Sequence, residues 1–289
     1  MAGMIAGRVP LAAPTYILRE AAREDLAGVL ERLGALGFAG VELMGLFGRS
    51  PNQVAESAQT AGLRVIGVHV PGVIEGPWPE VIDDVAACGA RYVTFEWPGP
   101  LGGSVDAKFA WAIEDLTERA ELASTAGLKP LYHNHDAELA YPVDHDPDSS
   151  GHEARSRMLD LILDQVPGLG LEPDLGWMVY AGADPASYLR KYRQRCQVVH
   201  LKDLWADELR LVGPKEDLGT TKRRPDRGRF EFRPTGFGMV NYPALLADIL
   251  ACEPEWLVLD HDSPYERDAY ADLALSLSYI QQLLALHLD

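Results

Sequence analysis

The stretch Ala107-Lys-Phe-Ala-Trp-Ala-Ile-Glu-Asp-Leu-Thr-Glu-Arg-Ala-Glu-Leu-Ala-Ser-Thr-Ala-Gly127-Leu-Lys-Pro-Leu-Tyr-His-Asn134 decides the fold. From Ala107 to Ala126 apolar residues recur at helical spacing, which predicts an amphipathic helix. Gly127 stops it, because glycine takes the left-handed conformation that closes helices. Lys129–Asn134 is then too short and too apolar for anything but a buried strand. Working outward, the same unit recurs. Strands are expected at Val9–Pro14, Gly40–Leu43, Arg64–Val70, Tyr92–Trp97, Lys129–Asn134, Gly170–Asp174, Gln197–Asp203 and Trp256–His261. Helices are expected at Arg23–Leu36, Asn52–Ala61, Pro79–Cys88, Ala107–Ala126, Glu153–Gln165, Pro185–Arg193, Tyr242–Ala251 and Tyr265–Leu286. Ser50-Pro51 and Asp184-Pro185 are helix starts, and Gly34, Gly62 and Gly89 are stops.

Strands that alternate with helices pair in parallel through right-handed crossovers. Eight such units make a closed α/β barrel, a (β/α)8 TIM barrel, with residues 1–289 as one domain. An open doubly wound sheet would carry a glycine-rich phosphate turn after its first strand, and Val9-Pro10-Leu11-Ala12-Ala13-Pro14 has none. Two segments read as irregular excursions from strand ends: acidic Ala140–His152, and Val212–Gly238 with its basic run from Lys222 to Arg233.

The chain has 289 residues, 26 basic and 43 acidic, for a net charge of −17. Such a surface repels nucleic-acid backbones and anionic membranes, so neither is expected as a partner. The apolar stretch from Ala27 to Phe47 is interrupted by Glu31, Arg32 and Glu42, and the first residues lack the pattern of a secretion signal. A cytoplasmic location is the expectation. Cys88, Cys196 and Cys252 are widely spaced and read as reduced packing thiols.

The chemistry is positional. Polar, metal-competent side chains stand at the last residues of nearly every expected strand: Glu42, His69, Glu96, His133 with His135, Asp174, His200 with Lys202, and Asp260 with Asp262. The carboxyl ends of barrel strands converge on one rim, so these groups are expected in one cup. Residues two apart share a strand face, so each strand can send two polar groups inward at different depths. A mixed carboxylate and imidazole set suits one divalent cation, Mn²⁺ first on the carboxylate share, with Mg²⁺, Co²⁺ or Zn²⁺ as alternatives. Trp177 and Trp97 would give flat walls for a sugar ring.

Gly37-Phe-Ala-Gly-Val-Glu42, Tyr132-His-Asn-His-Asp-Ala-Glu138, Asp174-Leu-Gly-Trp177 with Ala181-Gly-Ala-Asp-Pro185, and His200-Leu-Lys-Asp203 resemble the xylose isomerase-like barrels. More narrowly they resemble the sugar phosphate isomerase/epimerase branch with YHNHxxE and DxxW motifs, over almost the whole chain. The resemblance implies a metal held by Glu138, Asp174, His200 and Asp260, the last standing where the family has Glu. The first ligand stays open between Glu138 and His135. It further implies Glu138, His135 and Lys202 as catalytic groups, and Glu42, His69, His133, Trp177 and Asp203 as contacts for a sugar or keto-polyol. The implied reaction is isomerisation or epimerisation by proton abstraction beside a carbonyl, through an enediolate. A keto-sugar or keto-inositol dehydratase on the same site is the alternative, followed by an apurinic endonuclease and a non-catalytic sugar-binding subunit. Relatives occur in assemblies, so a homo-oligomer is compatible with the resemblance.

Overall fold

A computed structural model describes residues 9–70, 77–98, 105–140, 142–143, 156–209 and 229–287. Eight parallel strands form one sheet: β1 (Leu11–Pro14), β2 (Gly40–Met44), β3 (Arg64–Val70), β4 (Tyr92–Phe95), β5 (Lys129–His133), β6 (Gly170–Glu172), β7 (Val198–His200) and β8 (Trp256–Val258). Each strand pairs with its successor from β1 to β6; β8 pairs with both β1 and β7. The remaining seam, β6 to β7, is closed by a parallel bridge between Asp174 and His200, with the His200 amide donating to the Pro173 carbonyl at 3.0 Å. The expected α/β barrel is therefore present, closed where two of the candidate ligands sit.

The helices fall close to their expected places. The quoted helix spans Val105–Thr125, Tyr242–Ala251 starts and ends as expected, and Ser50 caps Pro51–Thr60 through a reciprocal box with Gln53. Among the elements that were not expected, two lie beside the site. Leu175–Tyr180 is a short helix capped by Asp174, too short and too apolar for a periodic signal. Phe230–Arg233 pairs antiparallel with Asp203–Ala206, which corrects the reading of Val212–Gly238 as wholly irregular; Lys222 to Arg227 lie outside the described residues. Most of Ala140–His152 lies outside them too. No described helix is long and apolar enough to cross a membrane.

The alternation of side chains along each strand builds the barrel interior in layers. Ala12, Ile66, Tyr92, Leu131, Val198, Trp256 and Val258 make an apolar cluster of their own. Two residues further along four of those strands, Thr94, His133, His200 and Asp260 are buried, and Glu172 of β6 pairs with His133 at the same level. Asp174 and Lys202 follow after another two. A register shift between Val41 and Glu42 against β3 brings Glu42 opposite Gly67, where a Cβ would stand 3.4 Å from Glu42 Oε1 and 3.2 Å from Tyr92 Cβ. A side chain there would press on Tyr92 and come into contact with the Glu42 carboxylate.

Candidate metal centre

The polar interior has two levels joined by histidines. At the inner level, Glu42, His69, Glu172 and His200 are 0–5 % exposed. His69 Nε2 lies 3.2 Å from Glu42 Oε2 and 2.8 Å from Glu172 Oε2; His200 Nε2 lies 2.7 and 3.2 Å from the same two oxygens. At the outer level Lys202 Nζ stands 3.0 Å from Asp174, 2.9 Å from Asp260 and 2.7 Å from Asp262. His133 spans the levels, its Nδ1 3.1 Å from Glu172 and its Nε2 3.6 Å from Asp174. His200 does likewise, with its Nδ1 3.0 Å from Asp260.

Burial sets the electrostatics. It drives the His133 imidazole down to about 3, fixing it as a neutral base or ligand. Burial works the same way on His69 and His200, but the facing carboxylates Glu42 and Glu172 outweigh it and raise both well above the usual histidine value. Burial opposes the charge on Lys202, yet Asp174, Asp260 and Asp262 hold it firmly as an ammonium. Three carboxylates around one ammonium leave excess negative charge. Asp174 shows the result: burial, with Asp260 beside it, lifts it to about 6 despite Lys202.

Two groups of donors gather closely enough to hold an ion: His69, His133, Glu172 and His200, and His133, Asp174, His200 and Asp260, each with ligand atoms within 4.8 Å of one another. Asp174 Oδ2 and His200 Nε2 are buried and make no hydrogen bond of good geometry, though they stand in ion-pair contact with Lys202 at 3.0 Å and Glu42 at 2.7 Å. Buried polar atoms are almost always paired, so such a cluster suits a cation.

Of the expected ligands, Asp174, His200 and Asp260 come together, and the fourth place is filled by His133. Glu138 stands outside both groups. Its carboxylate accepts the Tyr132 hydroxyl at 2.8 Å and the His135 amide at 3.2 Å, so it braces the segment after β5. Asp203, expected to touch substrate, is instead a clasp. Its oxygens accept from the amides of Leu204 (2.9 Å), Gly236 (2.9 Å), Gly238 (2.9 Å) and Val240 (3.1 Å), which uses up the carboxylate. A Cβ on Gly238 would stand 2.1 Å from Asp203 Oδ1, so the glycine is needed. Glu42, His69 and His133 are interior groups, 2–5 % exposed, not rim groups. Trp177, expected as a wall for substrate, is 6 % exposed, its ring centre 5.7 Å from the His135 ring and 5.1 Å from Lys202 Nζ, packed on Tyr180, Phe230 and Phe232. Trp97 stacks on Phe109. His135, Glu96 and Asp262 are the partly exposed polar groups of the cup. Glu96, 3.4 Å from His69, is held at about 2: burial would raise it, but the histidines overcome that. Glu172 was missed, although it shares a strand face with Asp174, and a glutamate in the apolar run Gly170-Leu-Glu-Pro was the signal.

The chain is 22% identical to inosose dehydratase of Geobacillus kaustophilus (strain HTA426), covering 89% of this chain and 86% of that protein. Its fold matches that of a sugar phosphate isomerase/epimerase from Parabacteroides distasonis ATCC 8503 with a TM-score of 0.72 at 19% identity, over 94% of this chain and 98% of the other. It also matches 3-keto-D-glucoside 4-epimerase from E. coli with a TM-score of 0.63 at 13% identity, over 95% and 100%. A family described as xylose isomerase-like TIM barrel matches residues 30–280, and the chain belongs to that family.

Proposed function

We propose that this protein is a divalent-metal-dependent isomerase or epimerase of a sugar or keto-polyol, working by proton abstraction next to a carbonyl. The observation that carries the reading is the gathering of His133, Asp174, His200 and Asp260 around a common point inside the barrel where β5 to β8 end, with the Lys202 ammonium beside it. These four residues would hold the cation, Mn²⁺ first on their share of carboxylates. When bound, such an ion polarises a carbonyl and its neighbouring hydroxyl and makes the C–H between them acidic. His133, neutral and donating Nδ1–H to Glu172, keeps its Nε2 lone pair toward Asp174. His135, partly exposed at the cup and set against Trp177, takes the proton from carbon and returns it to the neighbouring carbon on the same face; epimerisation takes its new proton from solvent on the opposite face. Lys202, its three N–H groups turned to Asp174, Asp260 and Asp262, adds positive charge near the oxygen on which negative charge grows. Trp177 presents the flat surface on which the substrate stacks.

A second reading, elimination of water from a keto-inositol or keto-sugar, begins with the same proton abstraction and is favoured by the likeness to inosose dehydratase. Incubation with Mn²⁺ in D₂O on a panel of ketoses and keto-polyols separates the two. The proposal predicts one solvent deuteron in a product of otherwise unchanged composition. Loss of water with deuterium incorporation would establish the dehydratase. No exchange with any panel member would overturn both.

A further inference from the structure

The antiparallel ribbon of Asp203–Ala206 and Phe230–Arg233 brings the Phe232 ring to 5.8 Å from Lys202 Nζ and lays Phe230 flat on Trp177, ring centres 6.0 Å apart. Lys202 and Trp177 beside it are 1 % and 6 % exposed. Two strands alone make a marginal structure in water. This ribbon is held from outside by the segment that follows β8. The Phe232 amide donates to the Tyr265 hydroxyl at 3.2 Å, and the Phe232 carbonyl accepts from Arg267 Nη2 at 2.9 Å. Both outward backbone groups of an edge residue are taken, as a third strand would take them. Tyr265 does this at a φ of 54°, a conformation that a bulky residue keeps only where its surroundings impose it.

The Arg267 guanidinium reaches further. Its Nη1 donates to Glu231 Oε1 at 2.7 Å, on the ribbon, and its Nε to Asp272 Oδ2 at 2.9 Å. Asp272 Oδ2 lies 3.1 Å from His261 Nε2, and the His261 amide donates to Asp260 Oδ1 at 2.8 Å. One side chain therefore connects the aromatic ribbon to the strand end that carries Asp260. A planar fork with donors on three nitrogens suits such a junction. We propose that Arg267 is a positioning residue, which holds the ribbon closed over Lys202 and Trp177 and fixes its place relative to Asp260. An ammonium kept from water by aromatic rings acts more strongly on a nearby oxygen than a wetted one. The closure stands on the geometry, whereas its effect on turnover rests on the proposed function.

Trp177 Nε1 is buried and makes no hydrogen bond, so its proton reports opening of the ribbon. The test is solvent exchange at the indole N–H groups of the full-length ¹⁵N-labelled protein, read by nuclear magnetic resonance with Mg²⁺ in place of paramagnetic Mn²⁺. The Trp177 signal is the one missing from Trp177→Phe. Trp256, 5 % exposed at the start of β8 and covered by Arg64, is the internal control for opening of the whole fold. Arg267→Ala is expected to speed exchange at Trp177 at least ~10-fold and to leave Trp256 unchanged. On a panel member that takes up deuterium, kcat/KM should fall about tenfold with Mn²⁺ content unchanged. Unchanged exchange at Trp177 overturns the proposal and leaves the proposed function standing. Equal acceleration at Trp177 and Trp256 also overturns it, because Arg267 then only stabilises the fold. Faster exchange at Trp177 alone with kcat/KM unchanged overturns the positioning role. Faster exchange at Trp177 alone with no panel member turned over supports the closure and removes the proposed function. Should Arg267→Ala fail to fold, Glu231→Gln, which breaks the junction only at the ribbon, takes its place.

Discussion

Asp174 and Asp203 are both 0–1 % exposed and both stand just beyond a barrel strand, yet they belong to opposite kinds of region. Asp203 sits in a clasp where four backbone amides saturate its two oxygens. Asp174, at the β6–β7 seam, spends one oxygen on the Trp177 amide at the head of a helix and leaves the other without a hydrogen bond, facing Lys202 and His133. Burial alone does not mark a site. A saturated carboxylate builds structure, and an unsaturated one is held ready for a ligand. Glu255, at the start of β8, is a third case: it accepts from Arg91 at 2.8 Å and Lys129 at 3.1 Å but is a third exposed, so water competes with both.

The contrast breaks if these carboxylates answer mutation alike. Asp174→Asn should lower kcat/KM at least ~10³-fold through loss of a ligand, about 4 kcal/mol of transition-state stabilisation, while the far-ultraviolet circular dichroism is retained. Asp203→Asn should do the opposite. It turns an amide NH₂ toward amides that need an acceptor, and urea unfolding should show a stability loss of about 2–4 kcal/mol, with Mn²⁺ content unchanged. Glu138→Gln sharpens the comparison from within the cup. It should leave Mn²⁺ content unchanged and lower kcat about tenfold by loosening His135; loss of the metal would restore Glu138 as a ligand. Glu255→Gln should matter least, roughly 0.5 kcal/mol or less. Burial alone would raise the Glu255 carboxyl, but Tyr92, Lys129 and Arg91 lower it below its ordinary value. Its contribution is therefore full above the unfolded value near ~4.5 and disappears as pH falls through the lower folded value. The parent and Glu255→Gln unfolding curves should converge below that window and separate above it.

The barrel was legible because its signals are local. Gly62, Gly89 and Gly127 close helices with φ of 72°, 84° and 81°, and each apolar strand follows within a few residues. Asp174, His200 and Asp260 were legible for the same reason, as polar residues at strand ends. What escaped depends on partners that sequence does not show. The four amides that capture Asp203 come from both sides of a connection of more than thirty residues. Glu138 has the right chemistry for a ligand, but it is drawn to Tyr132 and to the His135 amide before it can reach the ion site. Phe230-Glu-Phe-Arg233 alternates as a strand should, yet its polar, basic surroundings hid it. Glu172 was within reach, since strand parity places it on the same inward face as Asp174.

The account rests on one cation held where the barrel closes. Crystals soaked in Mn²⁺ and measured for anomalous scattering test this directly. The prediction is a peak bounded by His133, Asp174, His200 and Asp260. A fully loaded crystal with no peak in contact with Asp174 and His200 would contradict it.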